Sequence, residues 1–207
     1  KETEIGRVPE SWEVATLGSV AERPEYGYTA SAVNEPWGPR FLRITDIQDG
    51  QVQWGAVPFC VIPGREVLRY ELRPGDLLVT RIGATTGKTF LIESCPPTVF
   101  ASYLIRVRAK PCLYPRFLDA FTKSNAYWAQ IDAGKGGRLK LGVNIPVLSS
   151  LLLPLPPVEE QQEIAGVLSA VDQKITAEHR RKQSLNALFK SLLERLMTGA
   201  LRVGSLA

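Results

Sequence analysis

The chain has 207 residues, 44% of them hydrophobic and 22% charged, with a formal net charge of +4. That length suits one ordinary domain with an appended element, or two small domains, and the composition is that of a globular protein. No apolar run approaches the ~20 residues of a membrane span, so a membrane protein is not expected.

The opening "KETEIGRVPESW" alternates charge and lacks an apolar core, so no secretion signal is expected. Cys60, Cys95 and Cys112 are 35 and 17 residues apart, which suits neither a zinc ligand set nor a disulfide framework. An odd number of thiols points to a reducing, cytoplasmic setting.

Along the first 150 residues, "RFLRITDI", "QVQWGAV", "DLLVTRI", "TFLIES" and "ASYLIRVRAK" read as short strands. From Pro115, "PRFLDAFTKSNAYWAQI" places Phe117, Phe121, Trp128 and Ile131 on one helical stripe, with Gly134 as its stop. The expected fold class is therefore α+β, with a β-rich front domain over residues 1–153. Residues 154–207 form a second part. Pro154, Pro156 and Pro157 precede a helix whose first turn carries Glu159 and Glu160, where carboxylates suit the positive end of the helix dipole. Gly199 is its natural stop.

Alternate steps of four and three from Ile164 meet Leu168, Val171, Ile175, Glu178, Lys182, Leu185, Phe189, Leu192 and Leu196. Eight of these ten positions are apolar, the repeat of a coiled-coil seam rather than of a surface helix, whose stripe would drift. One helix cannot bury its own seam, so a second copy or another chain is required. In an antiparallel pair Glu178 could meet Lys182 of the copy; a locally wet seam is the alternative.

"TRIGATTGKTF", Thr80–Phe90, has the look of a nucleotide loop. A P-loop needs four residues between its glycines, and Gly83 and Gly87 enclose three. "TFLIES" also has strand composition where a P-loop requires a helix. The stretch reads as two strands joined by a glycine-containing turn. The one histidine, His179, lies in a basic run on the long helix, so Ser-His or Cys-His catalysis has no base. Asp46, Asp49 and Asp76 sit at turns, where Asp caps backbone amides. No catalytic centre, metal site or cofactor is expected.

The charge is unevenly spread. Residues 1–80 hold eight Lys/Arg against twelve Asp/Glu, and residues 81–140 hold ten against three. A basic middle third suits a polyanion, with a solvated surface as the alternative. Its candidate contacts are Arg81, Thr85, Thr86 and Lys88 at the hairpin tip, and Lys135, Arg138 and Lys140 in the glycine-rich "IDAGKGGRLKLG". Glycines let backbone approach phosphate, and Arg and Thr can read base edges.

"LLLPLPPVEEQQEIAGVLSAVDQKI", Leu151–Ile175, resembles the Pro-Leu-Pro-Pro, Glu-Gln and amphipathic-helix signature of Type I restriction-modification specificity (S) subunits. "GRVPESWEVATLGSV", "GDLLVTRIGATTGK" and "LMTGALRV" resemble further stretches of that family. The resemblance implies a non-catalytic chain that reads one half of a bipartite site in double-stranded DNA. It would dock modification subunits, which methylate adenine, with restriction subunits as further partners. Members of the family usually carry two recognition domains and two long helices, whereas this sequence has one of each. It implies a homodimer through antiparallel helices, paired along Leu168, Val171, Ile175, Leu185, Phe189, Leu192 and Leu196, or a fragment, or a pairing with a different half. An antirestriction protein that captures modification subunits by its helix, and a stand-alone enzyme, are the rival readings.

Overall fold

A computed structural model describes residues 1–48, 50–134 and 142–202. The chain divides into two compact units, Lys1–Ala165 and Gly166–Ala207.

The first unit opens with strands β1 (Glu2–Thr3), β2 (Gly6–Arg7) and β3 (Glu13–Thr16), helix α1 (Leu17–Val20) and β4 (Glu25–Tyr26). Strands β5 (Arg40–Leu42), β6 (Ile47–Gln48) and β7 (Gln51–Val52), helix α2 (Gly64–Tyr70) and strands β8 (Asp76–Thr80) and β9 (Thr89–Leu91) follow. Then come β10 (Thr98–Phe100), β11 (Leu104–Arg108), helices α3 (Pro115–Phe121), α4 (Asn125–Gly134) and α5 (Ile145–Ser150), and β12 (Leu152–Leu155).

The central sheet is antiparallel in the order β4-β11-β8-β9. All five residues of β8 are buried, which explains why "DLLVT" lacks polar alternation: both faces are covered. Leu77 and Val79 point into one core with Ile105, Val107, Phe117 and Tyr127, while Leu78 points into another with Leu42, Ile92, Phe100 and Leu104. This is the period-two geometry of a strand applied twice. Beside the sheet, β5 and β10 pair in parallel, with Phe41 opposite Val99.

The structure departs from the sequence reading in several elements. "RFLRITDI" and "QVQWGAV" each begin or end as a strand but contain a tight 3-10 turn, Ile44–Asp46 and Trp54–Ala56. Asp46 drives the first turn, its carboxylate accepting from the Arg43 amide at 2.8 Å and gripping the Arg43 guanidinium. The single helix expected from Pro115 is two helices. Between them the Thr122 hydroxyl donates to the Asp119 carbonyl at 2.7 Å, and Ser124 Oγ accepts from the Tyr127 amide. Such local side-chain bonds compete with helix continuation. Helices α1, α2 and α5 were not anticipated; Asn144 caps α5 by accepting from the Val147 amide at 2.9 Å.

The proline-rich stretch does more than precede a helix. Its Leu152–Leu155 strand, β12, pairs antiparallel with β3, placing Pro154 in a strand with one partner, where its missing N–H is tolerated. Helix α6 then runs Val158–Met197 over 40 residues, about 60 Å at 1.5 Å per residue. Its first turns belong to the first unit. Trp12 donates its indole N–H to Glu160 at 3.0 Å. Gln161 is fully buried; its amide accepts from the Tyr114 N–H at 2.7 Å and donates to the Cys112 and Pro156 carbonyls at 3.0 and 2.8 Å. Gln161→Ala would leave these three backbone groups without partners in a dry site. We expect a loss of about 2–3 kcal/mol, read from the urea midpoint; a loss under about 0.5 kcal/mol would contradict this role.

Beyond Gly166 the helix carries no buried residue. The seam side chains Leu168, Val171, Ile175, Leu185, Phe189, Leu192 and Leu196 lie between 37% and 65% exposed. Glu178 is held by Lys174 of the same helix at 3.2 Å. The helix ends where Gly199 takes φ 71° and Leu201 N–H reaches back to the Arg195 carbonyl. Among the described residues, no helix is long and apolar enough to cross a membrane.

Candidate nucleic-acid interface

Pairing brings several loops to one rim of the first unit. β5 and β10 are parallel and end together at Leu42 and Phe100. The Ala101 N–H then bonds to the Leu42 carbonyl, and β11 starts at Leu104 opposite Thr80, the last residue of β8. The segments after Leu42, after Phe100 and after Thr80 therefore share an edge, with the exposed Tyr103 between them.

The stretch Thr80–Phe90 is the hairpin that its glycine count implies: Leu77 faces Leu91, Leu78 faces Phe90 and Val79 faces Thr89. Its tip is tightly folded. The Thr80 hydroxyl donates to the Thr85 and Lys88 carbonyls, Thr86 N–H and Oγ both bond to the Gly83 carbonyl, and Gly87 N–H returns to Thr80. Gly83 and Gly87 adopt φ 86° and 88°, conformations that other residues avoid. A Cβ on Gly87 would also lie 3.0 Å from Ile131 and 3.1 Å from Trp128, so α4 packs directly on the turn. Tyr127 donates its hydroxyl to the Gly87 carbonyl at 2.8 Å, and burial pushes its ionisation well above the usual phenol range, keeping the donor proton in place.

Arg81 lies with its guanidinium 4.6 Å from the centre of the Tyr26 ring. Its N–H bonds to the Tyr103 carbonyl, and its carbonyl accepts from Val143 at 2.9 Å. A Cβ at Gly142 would come within 2.2 Å of that carbonyl. Lys88 is exposed, while Thr85 and Thr86 are half-buried, with the Thr86 hydroxyl taken up by the turn. Lys135, Arg138 and Lys140 lie outside the described residues. The chain on either side of them is anchored at this hairpin: α4 packs on Gly87 before them, and Gly142 abuts Arg81 after them.

Folding narrows the basic excess of residues 81–140. Arg106 pairs with Glu25, Arg108 with Asp76, Arg116 with Glu93 and Lys123 with Asp119. Two of those acids come from the acidic first 80 residues, so a charge surplus along the chain is not a surface patch of the same size. Among the described residues, Arg81 and Lys88 are basic members of the middle third that lie on this rim. The aromatic supports Tyr26 and Tyr127 were not singled out from the sequence; both lie far along the chain from the residues they hold.

Among the described residues no group of three or more His, Cys, Asp or Glu side chains is placed to hold a metal ion. Cys60 is buried, and burial pushes its thiol up to about 11.

These features define a β-rich α+β domain with a loop-bearing rim, followed in the chain by one long helix with an apolar seam. A sequence model described as "Type I restriction modification DNA specificity domain" matches residues 9–187, and the chain belongs to that family. The Type I restriction enzyme MjaVIII specificity subunit of Methanocaldococcus jannaschii is 26% identical over 214 aligned positions, covering all of this chain and 50% of the relative. A chain from a solved structure concerned with complex assembly and conformational transition of the type I R-M system superposes with a TM-score of 0.73 at 22% identity. That match covers 96% of this chain and 47% of the other. The HsdS subunit from Thermoanaerobacter tengcongensis gives 0.65 at 21% identity, over 96% and 48% of the two chains. At these identities the structural likeness speaks for the fold. The chain spans about half the length of the curated relatives it matches.

Proposed function

We propose that this chain reads double-stranded DNA through the rim carrying Arg81–Lys88, as the non-catalytic recognition part of a Type I restriction-modification assembly. The observation that carries the reading is the construction of the hairpin: Arg81 is pre-placed on Tyr26, Lys88 is exposed on the same hairpin, and both Trp128 of α4 and Gly142 pack on it. A fixed Arg can address a guanine edge or a phosphate, and Lys a phosphate. Residues 1–153 form the recognition domain in this reading. Residues 154–207 hold two such domains apart through antiparallel helices and dock modification subunits, because the helix seam has no partner within its own unit. Restriction subunits join through those partners.

Duplex binding by the full chain with its modification subunit, titrated against salt, tests this. Log affinity should fall linearly with log salt. Lys88→Ala should reduce that slope by about one, and Arg81→Ala should lower affinity about tenfold or more. Binding that ignores salt, or capture of the modification subunit with no retention of duplex, would overturn the reading; the second result would mark an antirestriction protein.

A further inference from the structure

The β6–β7 hairpin bears a face that neither charge nor motif singles out. Across it Ile47 faces Val52 and Gln48 faces Gln51. Period-two alternation sends Ile47, Val52 and Trp54 inward, where they pack on the core of Leu42, Leu78 and Phe100. It sends Gln48, Gln51 and Gln53 outward together, all exposed. These three amides, with Thr45 and Asp46, line an open groove of about 410 Å³. Asp46 is neutralised by Arg43 at 2.8 Å, so the described residues that line the groove offer hydrogen-bonding groups without free charge. Gln48 is partly committed, donating to the Thr45 carbonyl at 3.1 Å. Gln51 and Gln53 stand two residues apart on one side of the ribbon.

We infer that Gln51 and Gln53 read adenine edges in the major groove, beside the backbone contacts of the Arg81–Lys88 hairpin. The inference rests on the DNA-reading function proposed above. Three observations converge on it. The ribbon leaves β5 at Leu42, on the same rim from which the Arg81 hairpin leaves β8. A two-stranded ribbon fits the major groove, and a Gln amide matches the N6 donor and N7 acceptor of adenine in one bidentate contact. Neutral glutamine amides carry no charge to attract phosphate, so these side chains complement the cationic hairpin rather than repeat it.

The test is selection from a pool of duplexes with a randomised central region, using the full chain with its modification subunit. Wild-type protein should enrich a motif containing fixed A·T pairs. Gln51→Ala with Gln53→Ala should keep the salt-dependent affinity for unselected duplex, because both side chains are exposed and neither contacts the core. It should lose about tenfold to a hundredfold of the preference at one or two adjacent A·T positions and keep the rest of the motif. An unchanged motif at unchanged selectivity in the double variant overturns the inference while leaving DNA reading intact. So does loss confined to G·C positions. A wild-type chain that enriches no motif overturns the DNA-reading function and this inference together.

Discussion

Asp76→Ala is expected to destabilise the first unit by about 3–5 kcal/mol, a large share of the 5–15 kcal/mol that a domain of this size possesses. Asp76 is 1% exposed at the start of β8. Its two oxygens accept from Arg108 Nε and Nη2 at 2.7 and 2.9 Å, and Oδ2 also accepts from the Arg73 amide. The antiparallel register fixes that meeting, because Asp76 is the Cα partner of Arg108 on β11. The hydrogen bond to Asp76 is the main reason that the Arg108 guanidinium is held above its ordinary pKa. Removing the carboxylate strands a guanidinium that is three-quarters buried and whose other ion pair, with the more exposed Glu22, is long at 3.9 Å. Asp76→Asn should cost nearly as much, since its amide N–H would confront the donors of Arg108. The urea midpoint measures both; a shift equivalent to less than about 0.5 kcal/mol would remove Asp76 from the framework.

Leu185→Glu combined with Leu192→Glu is expected to break the proposed pairing of two copies, raising the dimer dissociation constant more than about a hundredfold. Both side chains lie on the seam, 56% and 37% exposed in the single chain. Burying an unpaired carboxylate in an apolar seam costs several kcal/mol, and each 1.4 kcal/mol is tenfold in affinity. Both positions lie beyond Ala165, outside the first unit, so the core of that unit should remain folded. Lys190→Glu, off the seam, should leave association unchanged. Light scattering across a concentration series reads the result. A wild-type monomer at high concentration, or a double variant that still pairs, would overturn self-association.

What could be read in advance was local. The four-three spacing of Leu168 to Leu196 is a property of consecutive turns, and the helix indeed runs Val158–Met197 with that row exposed. The three residues between Gly83 and Gly87 excluded a P-loop, and the tip is a hairpin. What escaped acts over distance. Gln161 holds Cys112 and Tyr114, and Asp76 holds Arg108, in each case more than 30 residues away. Charge counts along the chain cannot reveal that Glu25 and Asp76 come to rest on Arg106 and Arg108. The break between α3 and α4 was hidden because the apolar stripe continues through it, while Thr122 and Ser124 decide the backbone. The glutamine face was hidden for the opposite reason: uncharged amides leave no signal in charge and little in hydropathy, and their alignment depends on the register of β6 with β7.

In the proposed function, paired copies of this chain read DNA sequence together with modification subunits. Mapping methylated adenines in cells that carry the chain and its modification subunit tests it most directly. The expected result is one interrupted motif whose halves are inverted repeats, disappearing when the chain is deleted and losing selectivity with Arg81→Ala. Methylation that persists without the chain, or a motif with two unlike halves while no other specificity chain is present, would contradict it.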